Sequence, residues 1–135
     1  MTRENYGVIE MHVLMCEQAR REMKGTMNLI GVFSGEVAAR NPSLPVVISL
    51  WINYRLKPNW RGILYLRLLD GEEVIAEDEA DFSDLPYDVG ELDLPPIKVL
   101  PVPARQLKFQ YKTNEPEFSE WRTAKRIGLT VSENT

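Results

Sequence analysis

The sequence predicts an all-β fold: an antiparallel β-sandwich of about eight strands, in one domain spanning residues 1–135. Three observations carry this. Apolar and polar residues alternate with period two over several segments, which puts the two sets on opposite faces of a strand. Turn-forming Gly, Pro, Asn and Asp punctuate the chain at near-regular spacing. No segment shows a strong amphipathic helical period over a length that holds a helix in water. Many short strands with no helix to cover them bury their apolar faces by pairing two sheets, so the build is immunoglobulin-like or C2-like. A chain of 135 residues is long enough to bury about two-thirds of its unfolded surface around one core.

The elements follow in order. Ile9, Met11, Val13 and Met15 alternate within Val8–Cys16, and Met27–Phe33 is a second apolar run. The polar stretch between them is too short for a stable helix, so the two runs read as a hairpin turning at Lys24-Gly25. Val46, Ile48, Leu50, Ile52 and Tyr54 form a wholly apolar face, with Val47, Ser49, Trp51, Asn53 and Arg55 on the other. After Lys57-Pro58-Asn59, Leu64, Leu66 and Leu68 face the core, and Ile63, Tyr65 and Arg67 face away. Asp70-Gly71 signals a tight hairpin turn with two positive-φ residues at its centre. Val74, Ala76, Asp78, Ala80 and Phe82 are the inward set of the return strand. A charge at Asp78, between two alanines, marks an edge strand or a bulge. Five prolines between residues 83 and 104 imply a long connection with one short edge strand near Ile97–Leu100. Leu107, Phe109 and Tyr111 alternate with Lys108, Gln110 and Lys112. The last strand runs from about Trp121 to Val131, and Ser132–Thr135 is expected to fray.

The net charge is −4, but it is unevenly spread. Eleven of the 20 acidic residues lie between Asp70 and Asp93, a span without Lys or Arg, which leaves nine acids against 16 bases elsewhere. No apolar run approaches the roughly 20 residues that span a bilayer. Val13-Leu14-Met15-Cys16 faintly resembles a lipoprotein cleavage site, but no apolar segment of sufficient length precedes it. Cys16 is the single cysteine, so no intrachain disulfide forms, and a cytoplasmic location is expected.

The segment from Val13 to Phe33 reads Val-Leu-Met-Cys-Glu-Gln-Ala-Arg-Arg-Glu-Met-Lys-Gly-Thr-Met-Asn-Leu-Ile-Gly-Val-Phe. It resembles the opening of a family of small uncharacterised bacterial proteins, stand-alone domains of unknown function. Their pattern is a strand ending at Cys, a polar Arg/Glu stretch, a Gly-Lys-type turn and then Leu-Ile-Gly-Val-Phe. The later chain is similar in outline: a Pro-x-Leu-Pro lead-in at Pro42–Pro45, a strand pair closed by Asp70-Gly71, and a Pro-rich stretch before a Leu-x-Phe-x-Tyr strand. The resemblance implies a β-sandwich and assigns no activity. From the residues themselves, Gly31 inside an apolar strand marks a bulge or a close backbone approach.

The chemistry-bearing residues argue against an enzyme. His12 is the only histidine and shares a strand face with Cys16. Four residues along a strand are roughly 13 Å, beyond the reach of a nucleophile–base pair. One Cys and one His cannot close a structural zinc site. Phosphate-loop, dinucleotide and nucleophile-elbow motifs are absent, so no cofactor is expected. Two binding readings remain. Asp81, Asp84, Asp88, Glu91 and Asp93 supply hard oxygen ligands that suit calcium, although their spacing is not that of an EF-hand; a calcium-dependent sandwich binding a lipid or small ligand is the alternative function. The leading expectation is a non-enzymatic binding or assembly module. Trp51, Trp60, Tyr65 and Arg67 are its candidate partner patch, because Trp, Tyr and Arg dominate interface energetics. The acidic segment is a second docking face, for a basic partner or for the basic part of another copy of the chain. A pI near 5.1 argues against nucleic acid, and the opposite-signed regions favour a protein partner or self-association.

Overall fold

A computed structural model describes residues 7–23, 25–39, 43–84, 89–100, 105–116 and 120–131. Among these residues are nine strands and no helix: β1 (Val8–Arg21), β2 (Met27–Val32), β3 (Glu36–Ala39), β4 (Val46–Leu56), β5 (Ile63–Asp70), β6 (Glu73–Asp81), β7 (Val89–Val99), β8 (Gln106–Thr113) and β9 (Arg122–Val131). They form two sheets, ordered β2-β1-β4-β7 and β3-β9-β8-β5-β6. β4 and β7 share one sheet while β5, β8 and β9 share the other. This is the partition of the B/E and C/F/G strands in an immunoglobulin sandwich.

Period-two patterning builds the core. Ile48, Leu50, Ile52, Tyr54 and Leu56 of β4 meet Leu64, Leu66 and Leu68 of β5, Leu107 and Phe109 of β8, and Ile127 and Leu129 of β9; all are buried. One end of the sandwich is closed by the β4–β5 loop. Trp60 N–H donates to the Lys57 carbonyl at 3.0 Å, and Asn59 has φ 62°. Pro58 and Asn59 are thus the central pair of a type II turn, which swings the Trp60 ring inward to 6.0 Å from Phe82.

Several expectations need correction. The nine described strands in two packed sheets agree with the expected sandwich of about eight, but one pairing is parallel. β3 runs alongside β9 in parallel, with Glu36 opposite Gly128 and Ala39 opposite Val131, so the sandwich is not purely antiparallel. β3 has only four residues and no strong alternation of its own, which hides it in sequence. β7 begins at Val89, well before the expected Ile97. It tolerates Pro95 and Pro96 because it pairs with β4 alone and lies at a sheet edge. At the β5–β6 hairpin the central pair is Gly71-Glu72, and among the described residues only Gly71 of that pair has positive φ, 66°. That is the type II′ pattern with Gly first. A register shift between Leu68 and Leu69 turns Val74 outward, leaving it 42% exposed. The hairpin of β1 and β2 forms as expected, with Glu22 N–H donating to the Thr26 carbonyl at 2.7 Å. Gly31 has φ 67°, and the Glu17 side chain occupies the space its missing Cβ leaves free. Ser132–Thr135 lie outside the described residues.

Asp78 pairs with Leu66 on the inward side of β6, and β6 is an edge strand. An inward carboxylate at an edge disfavours the indiscriminate addition of further strands. Asp70 is the one buried acid of this hairpin. Its Oδ2 accepts from Arg105 Nη1 at 3.3 Å, while Oδ1 has no partner.

Candidate binding face

The outer face of the five-stranded sheet gathers the candidate site. Each strand contributes the residues left over once its apolar set turns inward. β5 supplies Tyr65 and Arg67, and β8 supplies Lys108, Gln110 and Lys112. Register puts Tyr65 opposite Lys112 and Arg67 opposite Gln110. A shift between Phe109 and Gln110 in the β8–β9 pairing sets Thr123 opposite Gln110. A polar chain follows from that geometry. Arg67 Nε donates to Gln110 Oε1 at 2.8 Å, and Gln110 Nε2 donates to Thr123 Oγ1 at 3.1 Å.

Trp121, just before β9, completes the face. The Arg67 guanidinium carbon lies 4.1 Å from its ring centroid, and Lys112 Nζ lies 4.8 Å from the same ring and 5.7 Å from that of Tyr65. Cations over aromatic faces are attracted by the ring quadrupole, by about 0.5–1 kcal/mol at exposed sites. The stacking also holds long side chains in fixed positions, which lowers the entropy lost when they engage a partner. Beside this cluster is a groove of about 650 Å³ lined by Tyr65, Glu77, Glu79, Lys112, Glu115 and Trp121, among others. Glu77, Glu79 and Asp81 alternate along β6 opposite Arg67, Tyr65 and Ile63. They form an acidic row beside the aromatic and basic centre.

Only part of the sequence-derived patch comes together. Tyr65 and Arg67 are neighbours on this face. Trp51 lies in β4, opposite Leu14, on the outer side of the other sheet. Trp60 is packed against the core with Phe82. The four residues are therefore not one surface, because β4 and β5, though consecutive, belong to different sheets. Lys112 and Trp121, which the patch omitted, take the missing places. The alternation of Lys108, Gln110 and Lys112 with Leu107 and Phe109 already placed those side chains outward. What the sequence lacked was the pairing of β8 with β5.

The calcium set is dispersed across the fold. Asp81 Oδ1 accepts from the Ser83 hydroxyl at 2.5 Å and the Ser83 N–H at 2.9 Å, and these bonds hold its pKa below the ordinary carboxylate range. Arg61 Nη1 donates to the carbonyls of Ser83 at 3.0 Å and Asp84 at 3.5 Å, which places a positive charge on the loop oxygens a cation would use. Glu91 and Asp93 lie in β7 of the opposite sheet, paired with Asn53 and Trp51. Asp88 lies outside the described residues. Among the described residues, no cluster of three or more His, Cys, Asp or Glu side chains could hold a metal ion.

Cys16 and His12 do not form a reactive pair. Cys16 is fully buried, and its thiol points to the Ser49 carbonyl at 3.6 Å. His12 is exposed, 3.4 Å from Glu10, and Glu10 also accepts from Arg55 at 2.8 Å. Burial pushes the Cys16 pKa above its ordinary value of 9.0. The folded state therefore holds this proton more tightly than the unfolded chain does. The resulting stabilisation is complete below pH 9.0 and is lost as the pH rises through the folded value. At neutral pH the native thiol is expected to react with a thiol reagent on the order of 100-fold more slowly than in denaturant, since reaction waits for opening. Equal labelling rates in the two states would contradict the buried placement.

Among the described residues no helix is long and apolar enough to cross a membrane. No protein-family model matches the chain, and a search of curated proteins finds no matching relative.

Proposed function

We propose that the chain is a non-enzymatic binding or assembly module acting through the outer face of the five-stranded sheet. The observation that carries this is the Arg67–Trp121–Lys112 stack beside an open groove. It combines the residue types that dominate binding hot spots with a preformed geometry. The distance of the sole histidine from the buried thiol supports the non-enzymatic reading. An acidic row along the basic centre disfavours nucleic acid, whose phosphates it would repel. The buried free thiol suits a reducing setting, and we place the protein in the cytoplasm.

The test is partner capture from an extract of the source cells. Arg67→Glu is expected to lower capture at least about tenfold relative to the wild type, as loss of a central hot spot does. Lys98→Glu, on the opposite sheet, should leave it unchanged. Equal effects of the two substitutions would remove the face from the mechanism. A purified protein that turns over a substrate, and stops on Cys16→Ala or His12→Ala, would overturn the non-enzymatic reading.

A further inference from the structure

We infer that a second copy of the chain pairs with this one along β2, joining the two four-stranded sheets edge to edge about a two-fold axis through Asn28. The contact lies apart from the outer face described above and stands independently of it.

The sheet edges are the first warrant. Among the described residues the two sheets end at β2, β7, β3 and β6. Three of these edges are blunted. β6 carries the inward Asp78 between Glu77 and Glu79, β7 carries Pro95 and Pro96, and β3 has only four residues. Such features keep an edge from accepting another strand. β2 has none of them. Met27-Asn28-Leu29-Ile30-Gly31-Val32 contains neither charge nor proline, and Ile30 and Val32 are 40% and 46% exposed.

The second warrant is where β2 stands. β1 pairs with β4 from Val8 to Cys16 and with β2 from Cys16 to Arg21. Beyond Cys16 the β1–β2 hairpin therefore leaves the sheet as a ribbon of two strands. Ala19, Met27 and Leu29 share one face of it and are half-buried, yet none packs against the core. A two-stranded ribbon is marginal in water, and independent stability takes three or more strands with an apolar face. Two paired ribbons meet that requirement.

The open edge fixes the register. Glu22 N–H donates to the Thr26 carbonyl at 2.7 Å. Alternation along an antiparallel ladder then turns the N–H and C=O of Asn28 and Ile30 towards β1, and those of Met27 and Leu29 towards the free edge. Two antiparallel copies satisfy these groups when Met27 of one lies opposite Leu29 of the other, each such pair exchanging both hydrogen bonds. The axis then passes through Asn28, which is exposed. An amide side chain both donates and accepts, so Asn28 complements its own copy. Gly31, at φ 67°, ends the extended stretch and disfavours a register centred further along. No charge meets its like on this edge, and Arg20, across the ladder from Asn28, is already paired with Glu22 at 3.5 Å. A neutral, self-complementary edge favours a second copy over a foreign strand, in the isologous manner of two-fold dimers. Val32 of one copy lies about 27 Å along the strand from Val32 of the other, so the two cores stand at opposite ends of the joint ribbon.

The experiment is sedimentation of the full chain at roughly 100 μM, because an edge contact is smaller than a standard interface and its dissociation constant is expected in the micromolar range. The mass is expected to be that of a dimer. Raising the salt from about 0.05 M to about 0.5 M should change the affinity no more than about twofold, since the contact is uncharged. Leu29→Pro removes an edge-facing N–H without touching a bond to β1, and should weaken the dimer at least about tenfold. Asn28→Cys sets two sulfurs at the axis, where opposed Cα atoms lie about 4.5 Å apart, within disulfide reach. Mild oxidation should cross-link it at least about tenfold faster than Ile30→Cys, whose two copies stand about 13 Å apart along the strands. Arg67→Glu should leave the dimer unchanged, which separates this contact from the binding face. A monomeric wild type overturns the inference. So does a folded Leu29→Pro variant that dimerises like the wild type, or equal cross-linking of the two cysteine variants.

Discussion

Trp60→Ala is expected to destabilise the fold by about 3 kcal/mol, the lower end of the range for removing a core tryptophan, because the ring is only partly buried. The ring lies 6.0 Å from Phe82, which in turn meets Tyr54 edge-on at 5.8 Å. Gly62 runs so close beneath it that any Cβ there would collide with the indole, and Phe82 N–H is bonded to the Gly62 carbonyl at 2.8 Å. Truncation thus opens a cavity in a corner where two backbone segments are already fixed and cannot close in. Trp121→Ala, on the outer face, should cost no more than about 1 kcal/mol. Urea midpoints of the two variants separate the cases. Indistinguishable midpoints would remove the Trp60 ring from the core.

Phe109→Ala is expected to cost about 3–5 kcal/mol. The side chain is fully buried in β8, between Leu68 on β5 and Lys125 on β9. Both neighbouring strands are held by ladders, so the void cannot collapse. Against a typical total of about 5–15 kcal/mol, this is a large fraction of the stability, equivalent to roughly 11–18 °C in Tm for a domain of this size. Phe109→Leu should recover most of the loss, to within about 1.5 kcal/mol of wild type. Calorimetry on the three proteins provides the check, and a Phe109→Ala melting point within a few degrees of wild type would contradict the packing.

The inward sets of β4, β5 and β8 were legible residue by residue, because burial on one face forces period-two alternation. The edge position of β6 was legible from Asp78, since a charge at an inward position survives only where water reaches it. β3 was not legible: four residues carry too little pattern. Nor was the extent of β7, whose prolines argue against a strand until its edge position is known. The site was half legible for a different reason. Alternation says which side chains leave the core, but not which sheet they leave from. Trp51 and Tyr65 were both correctly outward and yet belong to opposite sheets. Strand order is a long-range property, and it alone brings Trp121 onto Arg67.

The parallel pairing of β3 with β9 has a consequence for how the chain reaches its fold. Gly128 N–H donates to the Gly35 carbonyl at 3.1 Å, and Ala39 sits opposite Val131. An early segment therefore takes its ladder partner from β9, about ninety residues later. During synthesis β1 can pair with β2 and β4, and β4 with β7, while β9 is still unmade, but β3 must wait for β9 before its ladder can form. Such distant contacts place folding on the slow, millisecond-to-second side for domains of this size. Completion of the five-stranded sheet, and with it of the face that carries Trp121, waits on β9, the last in chain order of the nine described strands.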